Sequence, residues 1–454
     1  MIDRTDQVGE GARAKTPAGR FVVCFTRADY RQAASGLEKY LTEEIEVLAG
    51  AGLAAVCVFP FRTRRNRAVD AWLSQYWGVV AAGKWRGFIR AAELADWLAA
   101  GPGKAGGLLE VQLHHVQDFP LDSLARFLAA VPAPVRLFVH DYHAVCGQYN
   151  LLRNGREFCG PTAPSAEKCA GCRSWNAAYA PAMRAFLDSL RGRLSVWVPS
   201  AAAARVFAGA YPEWADQMRV VPHWRPGNAP AATGATGAAA GGETLKIGFV
   251  GAPTTAKGWD VFVRLSQRPE LRRMPIEFFH FGRPASDPPR TVRNVPISFV
   301  RDGRGAMTAA LRRAGVDVVL LWSLWPETYC YVLYECLQAG TMVLTHPDSG
   351  NVADEARQSG VGIVLEKETE LVEYLADAPR VRADAARCRS AALAGFGSMA
   401  VNDEILRLLP RTATPLAAAK YLPPPARIAG MLHALKMAWR RGGFSRGPRT
   451  RHGN

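Results

Sequence analysis

A chain of 454 residues predicts two or three domains at roughly 100 to 200 residues each, and 49% hydrophobic against 21% charged residues excludes a disordered chain. The formal charge is +16, but the last acid is Glu404; ten of the 56 Lys and Arg follow it, leaving 46 basic against 40 acidic side chains, a net of +6. The basicity belongs to the tail, which argues against a body that wraps nucleic acid.

Met1-Ile2-Asp3-Arg4-Thr5-Asp6 lacks the apolar core of a secretory signal, and no apolar run of about 20 residues predicts a spanning helix. A cytoplasmic location is the default expectation, and there the nine cysteines would be reduced. Residues 1–18 are polar and Gly-rich and read as a mobile arm. An apolar run at Phe21–Phe25, a helical stretch from about Gly36 to Leu48 and a second run at Ala54–Phe59 begin an alternation. It continues through Leu108–Leu113, Val135–Val139 and Leu194–Val198, and predicts a doubly wound, mostly parallel sheet over residues 19–226. Residues 227–243 are small and low in complexity, as in a linker. The alternation restarts at Leu245–Val250 and runs through Ile276–Phe281, Asp317–Leu321 and Thr341–Thr345, predicting a second such domain over 244–395. A crossover segment, 396–424, and a basic amphipathic tail, 425–454, follow. Two α/β halves predict a ligand site in the cleft between them, at the carboxyl ends of their strands.

The stretch Asp317 to Gly340 reads as a buried strand, a loop closed by Pro326, and a helix from near Cys330 to Gly340. Glu327 falls on the loop and Glu335 a turn into the helix. The helix start between them suits a phosphate, and the two carboxylates can accept hydrogen bonds from hydroxyls. Phosphate together with hydroxyls describes a sugar nucleotide.

These residues resemble the retaining glycosyltransferases of family 4, whose fold is GT-B: two Rossmann-like domains facing a cleft. In that family two Glu residues seven positions apart follow a Pro and precede a helix ending in Ala-Gly, as Pro326-Glu327, Glu335 and Ala339-Gly340 do here. The resemblance implies that Glu327 binds hydroxyls of the donor sugar, that Glu335 binds the ribose, and that the backbone of Tyr329, Cys330, Tyr331 and Val332 holds the diphosphate. Gly248 to Asp260 resembles the first strand and loop of the donor domain, implying Gly251 close to the phosphates and Lys257 as the cation that neutralises the leaving group. The Arg usual after that glycine is Ala252 here, and Arg283 is one substitute; Cys330 likewise replaces a small Gly. Ser35 to Leu41 resembles the family's Gly-Gly-x-Glu-Arg start of the first helix, implying Gly36 near the donor phosphate. His140, ending Val135–His140, matches the strand-terminal His and is implied to stabilise the oxocarbenium-like transition state through its carbonyl or its ring. Without the resemblance, a His beside Asp141 is more often structural.

The chain has no Asp-x-Asp metal signature, no G-x-x-x-x-G-K-[S/T] phosphate loop and no G-x-G-x-x-G after the first strand. Kinase, ATPase and ordinary dinucleotide readings lose ground, and no catalytic divalent metal is expected. Cys146, Cys159, Cys169 and Cys172 are spaced C-x12-C-x9-C-x2-C in a Gly/Pro-rich loop, 146–172, and suit a tetrahedral structural Zn²⁺ site, with an uncoordinated loop or disulfides as the alternatives. In the tail, Met431, Leu432, Leu435 and Trp439 recur at helical spacing among Arg427, Lys436, Arg440 and Arg441. That pattern suits an anionic membrane surface or docking back onto the first domain. The sequence therefore predicts a retaining glycosyltransferase that uses a UDP- or GDP-sugar and a glycan or lipid-linked acceptor in bacterial surface polysaccharide synthesis. It would be cytoplasmic and peripheral to the inner membrane face. A sugar-nucleotide epimerase of the same fold and a zinc-containing nucleic-acid-binding protein are the rivals.

Overall fold

The computed structural model describes residues 19–32, 35–61, 70, 73–102, 107–227 and 243–416. The arm at 1–18, most of the linker and the tail at 425–454 lie outside them.

In the first half, β1 (Phe21–Phe25), β2 (Ala54–Pro60), β3 (Tyr76–Ala81), β4 (Lys84–Arg90), β5 (Leu108–Leu113) and β6 (Val135–Phe138) precede a small hairpin, β7 (Leu152–Arg153) and β8 (Glu157–Phe158). With β9 (Leu194–Val198) and β10 (Met218–Val220) the sheet has the order β10-β9-β6-β5-β1-β2-β3-β4. Every residue of β1 and β5 is buried, as strands covered by helices on both faces must be. Within this sheet the antiparallel pairings are β2 with β3 and β3 with β4. The alternation did not predict this edge hairpin. It turns on Ala82 (φ 47°) and Gly83 (φ 72°), two consecutive left-handed residues that match the twist of tight hairpins but lack the usual Asn-Gly signature.

After β11 (Trp224–Pro226), the second half has β12 (Leu245–Val250), β13 (Ile276–Gly282), β14 (Val292–Pro296), β15 (Val318–Leu320), β16 (Met342–Thr345) and β17 (Gly362–Val364). All are parallel, in the order β14-β13-β12-β15-β16-β17, so the winding reverses between β12 and β15. In the first half it reverses between β1 and β5. The chain then returns: β18 (Met399–Val401) pairs antiparallel with β11, and Ile405 of the helix Glu404–Leu408 packs on Phe138, Trp197 and Val221 of the first half.

Candidate active site between the two halves

After β12 the chain turns at Gly251 (φ 108°), whose carbonyl is held by His280 Nε2 at 2.9 Å. One helical turn, Thr255–Lys257, ends at Gly258 (φ 80°). A Cβ on Gly258 would collide with the Trp322 carbonyl oxygen, so glycine is needed both for its backbone angle and for this close approach. The contact seats Lys257 against the loop that follows β15. There Lys257 Nζ donates to Glu327 Oε1 at 2.9 Å, and Ser323 Oγ donates to the same oxygen at 2.7 Å. Glu327 is 3% exposed. Its backbone is pinned by a bridge to Gly350 and by Asn351 N–H donating to its carbonyl. Burial lowers the Lys257 pKa, but the adjacent Glu327 carboxylate outweighs it and raises the pKa above the ordinary lysine value.

The helix Tyr331–Ala339 begins beside this pair, capped by Cys330, whose N–H donates to Asn351 Oδ1 at 2.9 Å, and ends at the left-handed Gly340. Burial raises the Cys330 thiol pKa to about 12, so it stays protonated at neutral pH. Two glycines, one from each half, lie against the helix's first turn. A Cβ on Gly36, the first residue of the helix Gly36–Gly50, would lie 3.7 Å from the Tyr331 ring, and one on Gly251 would lie 3.8 Å from Val332 Cγ2. Tyr329 accepts a hydrogen bond from the Trp224 N–H at 3.0 Å. The structure thus brings Gly36, Gly251, Lys257, Glu327, Tyr329, Cys330, Tyr331 and Val332 to one place. Arg283, just past β13, is exposed, and among the described residues no ion pair joins it to either carboxylate.

Three groups there escaped the sequence reading. Lys39 Nζ reaches across the cleft to Glu335 Oε1 at 2.8 Å, with Trp224 and Tyr331 ring centroids each 4.5 Å away. Glu43 accepts from Tyr331 OH at 3.1 Å and from Trp224 Nε1 at 3.0 Å, tying the first helix to the second half. Thr328 Oγ1 donates to the His140 carbonyl at 2.6 Å. Lys39 had a signal: it occupies the Arg position of the pattern that Ser35 to Leu41 resembles.

On the first wall, His140 Nε2 lies 3.1 Å from His114 Nδ1. Burial lowers the His140 pKa to about 3 against the opposing pull of Asp141, so the ring is neutral. Asp141 does not orient His140; it hydrogen-bonds His115 Nε2 at 3.1 Å and the His143 N–H at 2.9 Å. Beyond this wall, Cys146, Cys159, Cys169 and Cys172 all line one small pocket, shared with Lys168. Among the described residues, however, no three His, Cys, Asp or Glu side chains stand as a metal-holding group. The tetrahedral shell predicted from the spacing is not closed as the thiols stand. Burial raises the pKa of both Cys146 and Cys159, keeping these thiols protonated.

No family model and no curated protein matches this chain. Solved structures do. A sucrose-phosphate synthase from Thermosynechococcus elongatus superposes with a TM-score of 0.52 at 14% identity, covering 92% of this chain and 100% of its own. A glycosyltransferase from Rickettsia africae gives 0.50 at 11%, covering 83% and 94%. The fold is GT-B. At such identities the likeness goes no further than the GT-B architecture, and function has to be argued from the site. In GT-B terms the first half, with His140, faces the second half, with Lys257 and Glu327, across the cleft.

Proposed function

We propose that this chain is a glycosyltransferase that moves a sugar from a UDP- or GDP-sugar to a hydroxyl of a glycan or lipid-linked acceptor with retention of configuration, in bacterial cell-surface polysaccharide synthesis. The observation that carries this reading is the meeting of the Lys257–Glu327 pair with Gly36, Gly251 and the first turn of the helix Tyr331–Ala339. A lysine, two side-chain-free approaches and a helix start suit a diphosphate; a buried carboxylate beside them suits sugar hydroxyls. The fold is that of proteins named as a glycosyltransferase and a sucrose-phosphate synthase.

In this reading the bond from the anomeric carbon to the diphosphate oxygen breaks, and its electron pair leaves with the diphosphate. Lys257 stabilises the charge growing there. The acceptor oxygen attacks from the same face, and its proton passes to the departing phosphate oxygen. The His140 carbonyl accepts from Thr328 and keeps a second lone pair, so the sugar can meet that carbonyl or the ring. Being neutral, the ring adds no charge repulsion to a carbon that is becoming cationic. Thermal shift with a nucleotide-sugar panel, followed by NMR of products with candidate acceptors, tests the reading. A modified sugar nucleotide formed without acceptor would mark an epimerase instead, and no stabilisation by any nucleotide sugar would refute both.

The cysteine pocket belongs to the same reading as a structural Zn²⁺ site, in which Cys146, Cys159, Cys169 and Cys172 would be the four ligands. Four thiols on one pocket support it, as does the Gln148 N–H that points at Cys146 Sγ at 3.4 Å. Purified protein should contain about one zinc per chain, lost in Cys169→Ser with Cys172→Ser; metal-free protein prepared without chelators would refute it. The tail belongs to the reading as a contact with the membrane. No helix among the described residues is long and apolar enough to cross one.

A further inference from the structure

Two carboxylates flank the first turn of the helix Tyr331–Ala339, and each is held by a lysine. The pairs differ in origin. Lys257 and Glu327 both belong to the second half, whereas Lys39 and Glu335 are 296 positions apart and come from opposite halves. Lys39 and Glu335 are also withdrawn from water, with side-chain exposures of 9% and 13%. The ammonium is walled by three rings, with centroids at 4.5 Å (Trp224), 4.5 Å (Tyr331) and 5.2 Å (Phe299).

A desolvated ion pair of this kind contributes little net stability, because the cost of removing both charges from water offsets most of their attraction. Its charge is therefore cheap to redirect, provided another anion takes the lysine. Lys39 already lies against the ring of Tyr331, the first residue of the helix whose start the proposed diphosphate would occupy. Lys257 alone cannot balance a diphosphate, which has about two negative charges, since Glu327 already neutralises it. A second lysine 4.5 Å from the Tyr331 ring supplies the missing charge, and freeing Glu335 leaves a carboxylate to accept from hydroxyls.

Resting on the glycosyltransferase reading, we propose that Lys39 is a diphosphate-binding residue delivered from the opposite half, and that the Lys39–Glu335 pair is a placeholder exchanged when the donor binds. Nucleotide binding then exchanges partners within the cleft: Lys39 passes from Glu335 to the phosphates, and Glu335 passes from Lys39 to the ribose hydroxyls. The aromatic walls hold the ammonium in reach throughout, by cation–π attraction.

The test is calorimetric binding of UDP, GDP, uridine and guanosine to the full chain and its variants. Lys39→Met should weaken the nucleoside diphosphate that wild type binds by tenfold or more and leave the matching nucleoside within about threefold, while Lys39→Arg restores most of the loss. Should Lys39→Met fold poorly with Glu335 unpaired, Lys39→Met combined with Glu335→Gln should show the same tenfold loss relative to Glu335→Gln alone. Equal diphosphate binding by wild type and Lys39→Met, or parallel loss of diphosphate and nucleoside, overturns the role of Lys39 and leaves the glycosyltransferase reading standing. Absence of any nucleoside diphosphate binding by wild type overturns both.

Discussion

At the strand ends of the second half a lysine and a carboxylate face each other, whereas at those of the first half four histidines are kept neutral by burial beside a fifth, His115, that is held by Asp141. His114 follows β5, His140 and His143 follow β6, and His223 follows β10; burial lowers the pKa of each, to about 3 for His140 and His143. The second half spends its polar groups on Lys257, Glu327 and Ser323, joined within 3 Å. The difference matches the two charges of glycosyl transfer. In the proposed reaction a diphosphate would leave as an anion beside Lys257, and a sugar carbon would become cationic beside the neutral ring of His140. The same comparison separates how the groups nearest the proposed reaction are maintained, Lys257 and Glu327 by ion pairing and the His140 ring by exclusion of water.

The comparison breaks most directly on the charged wall. Lys257→Ala removes stabilisation that grows only as the diphosphate leaves, and should cost on the order of tenfold to a thousandfold in kcat with little change in KM. Glu327→Ala, which strips Lys257 of its partner and the sugar of its carboxylate, should cost at least as much. Steady-state kinetics of folded variants with near-wild-type turnover in both would mean that the charged wall is not where the reaction occurs.

The next largest effect is on the backbone that seats the lysine. Gly258→Ala meets both a left-handed φ and a collision with the Trp322 backbone, two costs that relaxation of one cannot relieve. It should lower stability on the order of 3 kcal/mol, read by urea denaturation. Gly52→Ala is the control, because it has a similar φ of 73° and open space around its added Cβ. If both substitutions cost the same, the close approach of the Lys257 turn to Trp322 carries no energy of its own.

Much of this architecture was legible in the sequence because parallel strands buried on both faces leave uninterrupted apolar runs, as in Phe21–Phe25 and Leu245–Val250. The β3–β4 hairpin was not, since Tyr76-Trp-Gly-Val-Val-Ala81 and its partner lean on a two-residue turn that carries a positive φ at an alanine. At the site, Pro326 to Gly340 could be read locally because loop, helix start and C-cap are consecutive. The Lys39–Glu335 pair could not, because nothing in either segment encodes a partner 296 residues away. The cysteines mark a middle case: their spacing predicted a tetrahedral Zn²⁺ site, and among the described residues the four line one pocket without standing as a metal-holding group, because spacing does not set where each sulfur points.

The neutral wall predicts a pH effect of definite sign. A histidine whose pKa is lowered on folding stabilises the fold above its ordinary value near 6.5, and that contribution is lost as pH falls towards the folded value. His114, His140, His143 and His223, all lowered, make stability fall from pH 6.5 downwards, each by up to about 1.4 kcal/mol per pH unit, against the buried carboxyls Glu43, Glu44 and Glu110, whose raised pKa values add stability over the same range; four groups against three leave a net fall. Hydrogen exchange at pH 7 and pH 5 should show amides of β5 and β6 losing protection before those of β12 and β15. In the second half His346 has its pKa lowered by burial, a single such group against four. His140→Asn should flatten part of the slope. Equal loss in both halves, or an unchanged slope in the variant, would mean that the histidine wall is not held neutral by the fold.

The smallest effect concerns where the two walls meet their acceptor. If the acceptor is lipid-linked, the first half must lie near an anionic leaflet, and the tail beyond the described residues has the means. Met431, Leu432, Leu435 and Trp439 recur at helical spacing, with Arg427, Lys436, Arg440 and Arg441 on the flanks. Each Lys or Arg near an anionic surface adds about 1 kcal/mol, screened within a Debye length of about 10 Å at 0.1 M salt. Co-sedimentation with phosphatidylglycerol vesicles should therefore be salt-sensitive for the full chain and weak for residues 1–424, with turnover of a soluble acceptor unchanged. A helix that docks on the first half instead would leave vesicle binding alike in both forms and would lower stability when removed. The two outcomes assign the tail either to the membrane or to the wall that carries His140.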